Sequence, residues 1–366
     1  MYPKRVILTV SNDLSNDQRV HRICDTLANN NYNVHLIGRK KKNSPPLIER
    51  NYSTGRIKLL FNKGFLFYFC LNFRLFFKLL FSKFDILVAN DLDTLPANSL
   101  VKIIRRKKLI FDAHELFYEV PELNGKSFVK WFWRTIEKVF IRSADAYITV
   151  SPSIAENYYK KYKIHFEVIR NLPLKIAKLK EYHQRENLLI YQGALNKDRG
   201  IETLVEAMQY IDCWKLIIAG SGDVESELKC LAEKLNVIPK VQFTGHLDFE
   251  SLRTLNQNCK LGFSLEKDTC LNYRWALPNK IFDYINSGIP VLCSNLPEMK
   301  KLIEQYNCGE TVEAGITAKE LSEKIASLIS NSEKLPIYHK ACLKAREELN
   351  WENESKNLLK IYKNLK

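Results

Sequence analysis

A chain of 366 residues with 46% apolar side chains is too long for one small core, so two globular domains of about 150 to 200 residues each are expected. The formal charge of +15 is lopsided: residues 1–170 hold 29 Lys and Arg against 15 Asp and Glu, net +14, whereas residues 171–366 are near balance at net +1. A first half of that sign attracts phosphates, on nucleic acid, on anionic lipid or on a pyrophosphate-linked substrate. The nine cysteines form no CxxC pair, and the seven histidines form no ligand-spaced cluster with them, which points to a reduced, cytoplasmic protein without structural zinc.

The opening MYPKRVILTVSND has too short an apolar core for a signal peptide and reads as a first strand, Val6 to Val10. The loop Ser11 to Arg22 follows it. Its Asp13 is a candidate for binding ligand hydroxyls, while Asp17, Arg19 and Arg22 either shape a ligand site or serve as a helix cap and a solvated face. Further strands are predicted near Val34–Ile37, Ile86–Ala89, Leu109–Asp112, Ala146–Val150 and Glu167–Ile169, with helices between them. The apolar stretch from Leu59 to Phe84 is interrupted by Lys63, Arg74, Lys78 and Lys83, and its longest uncharged run is too short to span a bilayer. It fits either a helix lying in the interface of an anionic membrane or a core helix with a basic edge.

VANDLDTLP ends a strand with Asn90, Asp91 and Asp93. These groups suit ligand hydroxyls, although capping the following helix is the more frequent use of a residue placed like Asp93. FDAHELFYEVPE puts His114 and Glu115 directly after the next strand, at the mouth where open α/β sheets bind ligands.

After an expected linker, Asn171 to Gln184, the alternation restarts, with strands near Leu188–Tyr191, Lys215–Ala219, Val241–Phe243, Lys260–Ser264, Val291–Cys293 and Thr311–Val312. Two doubly wound parallel sheets in tandem would place a cleft between the C-terminal ends of their strands. YQGALNKDRGIETL follows one strand and opens a helix, so Gly193, Lys197 and Arg199 can approach a diphosphate. AGSGD supplies Gly220 and Gly222 for a tight turn and close backbone approach.

LNYRWALPNKIFDYINSGIPVLCSNLPE reads as loop, helix and buried strand, with Pro278 at the first helical turn and Gly288 as the stop. Lys280 in that first turn opposes the helix dipole, so a phosphate partner makes sense of it. Asn279 is beside it, and Asp283 one turn later suits a ribose. Trp351 to Leu365 is a final amphipathic helix.

This last donor-type segment, the Arg199 loop and the Asp-x-His-Glu element at His114 resemble the retaining GT-B glycosyltransferases of family 4, of bacterial surface-polysaccharide type. The resemblance implies two Rossmann-like domains, residues 1–171 for the acceptor and 172–345 for the nucleotide sugar, with residues 346–366 packing back on the first domain. It implies hexosyl transfer from a nucleotide-diphosphate sugar to a glycan or polyprenyl-linked acceptor, with no metal and no other cofactor. His114, Arg199 and Lys280 take the catalytic places. Gly193, Lys197, Gly220, Gly222, Glu266, Asn279 and Asp283 take the donor, and Asp13, Asn90, Asp91 and Glu115 the acceptor.

Three features depart from the pattern. Ala194 stands where an arginine is usual, so Lys280 is expected to replace that phosphate clamp. Trp275 stands at the place of the first of two glutamates, for which Glu266 is the substitute. The first loop lacks its glycine. A sugar-nucleotide epimerase and a nucleic-acid-binding module are the alternatives; the aromatics cluster in an apolar run instead of alternating with basic residues, which argues against nucleic acid.

Overall fold

Short runs rich in Val, Ile and Leu, buried on both faces, pair side by side as parallel strands because amphipathic helices return the chain to the same end of the sheet each time. The computed structural model describes residues 3–15 and 17–365. It divides into two units, one of residues 1–170 with 355–366, the other of residues 171–354.

The first unit holds β1 (Arg5–Thr9), β2 (Asn33–Lys40), β3 (Ser53–Lys58), β4 (Ile86–Asn90), β5 (Lys108–Ala113), β6 (Ala146–Thr149) and β7 (Glu167–Val168), in the order β3-β2-β1-β4-β5-β6-β7. The second holds β8 (Leu188–Gln192), β9 (Lys215–Ala219), β10 (Val241–Gly245), β11 (Leu261–Ser264), β12 (Val291–Ser294) and β13 (Gly309–Val312), in the order β10-β9-β8-β11-β12-β13. All the strand pairs run parallel, for example Val6 beside Ile86 and Ile190 beside Gly262. Two doubly wound α/β sheets are therefore present, as the alternation predicts. In each, the strand order reverses beside the first strand, between β1 and β4 and between β8 and β11. Ligand sites of open sheets form at such points.

One strand is not legible in the sequence. β3, STGRIK, has a single large apolar residue, yet it pairs with β2 from His35–Ser53 to Lys40–Lys58 as an edge strand with a solvated side. The stretch predicted as linker is also more than a tether, since Leu172 and Ile176 are buried in the second unit. The helix Gly64–Leu80 buries one stripe, Phe67, Leu71, Leu75 and Leu79, and exposes Phe65, Phe69, Phe73 and Phe77. No helix among the described residues is long and apolar enough to cross a membrane.

The loop after β1 is fixed from both ends. Asp17 caps the helix Gln18–Ala28 by accepting from the Val20 amide, so its capping reading is the one realised. Arg19, expected either near a ligand or in solvent, is instead buried. It donates to both oxygens of Asp112 at 2.9 and 3.3 Å and to the Ile169 carbonyl at 2.7 Å, tying the first helix to β5 and to the end of β7. Removing one member of a buried pair leaves an uncompensated charge and costs about 3–5 kcal/mol. Arg19→Met is therefore expected to lower chemical-denaturation stability by that amount, and Arg19→Met with Asp112→Leu to recover most of it; an Arg19→Met loss below about 1 kcal/mol would contradict the pairing.

Candidate active site

In the second unit, the functional side chains come from the ends of β8 and β11 and from the start of the helix Asn279–Asn286. Glu266 lies two residues past β11 and is 1% exposed. Its Oε1 accepts from Lys280 Nζ at 2.8 Å, and Arg199 Nη1 lies 3.6 Å from the same oxygen. Its Oε2 accepts from the Ser264 hydroxyl at 2.7 Å. Burial alone would raise the Glu266 pKa, but Lys280 and Arg199 together hold it below the ordinary carboxylate value. Lys280 is pushed down to about 8, by burial first and by the Arg199 charge, against the pull of Glu266.

Aromatic faces complete the cluster. Lys280 Nζ lies 4.2 Å from the Tyr191 ring centre, and the Arg199 guanidinium 5.5 Å from that of Tyr273. The two cations differ in access: Lys280 is 5% exposed, Arg199 24%. The expectation that Lys280 awaits a phosphate therefore needs correcting, because the anion that opposes its position at the helix start is already supplied by Glu266.

The glycine loops hold this cluster by fitting against one another. Gly220, with φ +153°, follows β9, and a Cβ there would sit 1.9 Å from the Gly193 carbonyl. Gly193, after β8, runs over Lys280, whose Cε is 3.7 Å from the place of its missing Cβ. Gly222 abuts the backbone of Leu195 in the same way. Close backbone approach is realised, between loops of the chain itself.

Asp283 accepts from the Gln192 amide at 2.9 Å, and Gln192 in turn accepts from Asn256 at 2.8 Å, so this relay positions Asp283 at the end of β8. Asn279 and Lys197 are exposed at the rim.

In the first unit, His114 follows β5 and lies between two carboxylates. Nδ1 is 3.3 Å from Asp91 Oδ2, and Nε2 is 3.2 Å from Asp112 Oδ2. The His114 amide also donates to Asp91 Oδ1 at 2.8 Å. Burial would lower its pKa, but Asp91 and Asp112 overcome that and raise it to about 9, so the ring is an imidazolium at neutral pH. Burial raises Asp91 to about 6, while Asp112, despite its burial, is held well below the usual carboxylate range by Arg19 and His114. His114, expected in a catalytic place, has carboxylates facing both ring nitrogens.

Asn90 is buried, with its amide on the Thr9 carbonyl at 3.1 Å. Asp93 is buried too, and it does not cap the helix Leu95–Arg105, whose N-cap is Thr94. Burial raises it to about 6, with Ser11 as a hydrogen-bond partner. Asp13 accepts from the Ser15 amide at 3.3 Å and the Ser44 hydroxyl at 3.1 Å, holding the turn of its loop. Glu115 is half-buried beside His114.

Residues 17–173 match the model of Glycosyltransferase Family 4, and residues 175–345 that of Glycosyl transferases group 1. The chain belongs to the glycosyltransferases of family 4 and group 1. The chain is 23% identical over 301 residues to a chitobiosyldiphosphodolichol beta-mannosyltransferase of Debaryomyces hansenii, a match covering 70% of this chain and 63% of that one. It spans 45 to 63% of the length of the curated relatives it matches. Among solved structures, sucrose-phosphate synthase from Thermosynechococcus elongatus superimposes with a TM-score of 0.78 at 19% identity over 99% of both chains. Anabaena HepE in complex with UDP-glucose does so with 0.77 at 14% identity over 99% of this chain and 100% of that one. The fold they share is GT-B.

Sequence reading brought Arg199, Lys280 and Glu266 forward singly. It missed Tyr191, Tyr273 and Gln192, and the Arg19–Asp112 pair behind His114. Tyr191 and Gln192 end the strand before the glycine loop, which was the available signal.

The charge on His114 makes stability pH-dependent. A pKa raised from 6.5 to about 9 on folding means that the contribution is complete below pH 6.5 and is lost as pH rises through 9. The thermal midpoint is expected to fall between pH 6.5 and 8, with a flatter slope in His114→Gln; equal slopes in circular-dichroism melts would contradict the assignment.

Proposed function

We propose that this glycosyltransferase moves a hexosyl group from a nucleotide-diphosphate sugar to a hydroxyl of a carbohydrate or lipid-linked acceptor, with retention of configuration and without a metal ion, in surface-polysaccharide synthesis. The observation that carries the donor half is the Arg199–Glu266–Lys280 cluster at the reversal of strand order in the second sheet. That HepE binds UDP-glucose, and that the Debaryomyces relative is named for mannosyl transfer to a diphosphodolichol-linked sugar, supports the reading.

Transfer breaks the bond between the sugar C1 and a phosphate oxygen and forms one from C1 to the acceptor oxygen; the acceptor's proton leaves with the departing diphosphate. Negative charge grows on that diphosphate. Preorganised cations in a partly dry site stabilise it most effectively, because they need not reorient as the reaction proceeds. Arg199, the more open cation, is assigned direct contact with the diphosphate, and Lys280 acts from behind it as a charge held in place by Glu266. Gly193 and Gly220 let the loops at the ends of β8 and β9 pack on each other over Lys280, which holds that cation in place. Asp283, held by Gln192, is assigned the ribose. In the first unit, His114 is a fixed cation between Asp91 and Asp112, and Glu115 beside it is assigned an acceptor hydroxyl.

We also place the chain at the cytoplasmic face of a membrane, touching anionic lipid through residues 59–84. That segment carries Lys63, Arg74, Lys78 and Lys83 and no acidic residue.

A nucleoside diphosphate that binds only the native state raises the unfolding midpoint. With UDP, GDP, ADP and CMP compared at equal concentration, one diphosphate is expected to give a selective shift that Arg199→Ala abolishes. Turnover by Arg199→Ala should fall by about 100-fold or more at an unchanged fold, and EDTA should leave wild-type turnover unaltered. Near-normal turnover in the variant would refute the role of Arg199, and an epimerised sugar formed without any acceptor would favour a sugar-nucleotide epimerase.

A further inference from the structure

The loop after β4 carries Asp91 in a conformation that its neighbours must impose. Asp91 has φ +62°, the left-handed region, which a residue other than glycine keeps only where the surrounding structure over-determines it. Part of that constraint is local. The Asp91 amide donates to the Asp112 carbonyl at 2.9 Å, and the Thr94 hydroxyl donates to the Asn90 carbonyl at 3.0 Å. A further tie comes from Asn72, in the middle of the helix Gly64–Leu80 and far from the strand ends in sequence.

Asn72 is half-buried and uses both ends of its amide. Nδ2 donates to the Asp93 carbonyl at 2.8 Å and to the carbonyl of Tyr68, one turn back on its own helix, at 3.0 Å. Oδ1 accepts from the Ala97 amide at 3.0 Å. That amide lies in the first turn of the helix Leu95–Arg105, whose N-cap Thr94 makes no side-chain cap bond, so a different helix supplies the cap. Two carbonyls on one side and an amide on the other also fix which way the side chain points, because the reversed amide would oppose oxygen to oxygen. Neither a carboxylate nor an aliphatic group of this size offers donor and acceptor together.

The backbone groups that Asn72 ties, at 93 and 97, follow directly on the residue that faces His114. Asp91 Oδ1 accepts from the His114 amide at 2.8 Å, and Oδ2 lies 3.3 Å from Nδ1. We propose that Asn72 is a positioning residue for the transfer reaction, which clamps the Asp93 carbonyl and the Ala97 amide and thereby holds Asp91 against His114. The assignment rests on the transferase reading above and adds to its site a residue that touches neither donor nor acceptor.

The titration of His114, followed by NMR of labelled histidine and assigned with His114→Gln, reads the clamp. Asp91 faces the ring from the loop and Asp112 from β5, with Arg19 behind Asp112 on the first helix and Asp93 within electrostatic reach. The two facing carboxylates favour the imidazolium, while burial and Arg19 oppose it. In Asn72→Ala, and in Asn72→Leu, which keeps the volume, the midpoint is expected to fall from about 9 by about a unit or more, since Asp91 is no longer held in place. Leu75→Ala, which hollows the buried stripe of the same helix, should lower the thermal midpoint and leave the His114 titration unmoved. Transfer turnover in the Asn72 variants should drop by about tenfold or more, with the thermal shift given by UDP, GDP or ADP retained, because the donor site belongs to the second unit. An unmoved His114 titration in both Asn72 variants would overturn the proposal. So would near-normal turnover in them, or an equal displacement of the titration in Leu75→Ala, which would trace the effect to general loosening. A wild-type chain that no nucleoside diphosphate protects removes the transferase reading and the proposal with it; protection that persists beside an unmoved His114 removes the proposal alone.

Discussion

The second unit's site depends on one buried carboxylate. Burial in so dry a place raises the pKa of Glu266 and lowers that of Lys280, and each opposes that effect on the other. Together, at 2.8 Å, they keep each other ionised, with Arg199 at 3.6 Å adding a second positive charge. The cluster therefore carries a net positive charge beside strand ends where an anion can enter. Its geometry is set in advance by Ser264 and by the glycine loops that run over it. Preorganisation of this kind makes a cation useful to a leaving group, since a flexible surface lysine would have to be ordered at the moment of reaction.

The first unit uses the same device with the signs interleaved. Arg19, Asp112, His114 and Asp91 alternate in charge from the first helix to the loop after β4. Their charges largely cancel, so the net +14 of the first half is not stored at this site. It resides on exposed lysines and arginines such as Lys63, Lys78 and Lys126, where screening by salt is strong and the field acts on large anionic surfaces more than on one bound group.

Much of the fold was legible because buried parallel strands announce themselves as apolar runs; twelve strands lie where such runs do. β3 was not, since an edge strand needs neither an apolar face nor an alternating pattern. At the site, the sequence marked residues that follow strands, and Arg199, Lys280 and Glu266 indeed cluster. It did not disclose that Glu266 supplies the anion for Lys280, fourteen positions away, or that Arg19 reaches Asp112 across ninety-three. Such pairs are dictated by which strands become neighbours, and a linear pattern carries no record of that. The sequence left Arg19 open between a ligand site and a solvated face and gave His114 a catalytic place; the buried partners of both come from tertiary neighbours.

The ionisation of Lys280 tests this account most directly. Carbon-13 NMR of labelled lysine Cε, assigned with Lys280→Arg, would follow its titration with and without the nucleoside diphosphate that binds. In the free protein the midpoint should lie near 8, and the bound diphosphate should move it upward by a unit or more, roughly, as an added negative charge favours the ammonium. A midpoint that stays in place when the diphosphate is bound would mean that the ligand's charge does not reach Lys280, and the clamp would have to be sought elsewhere.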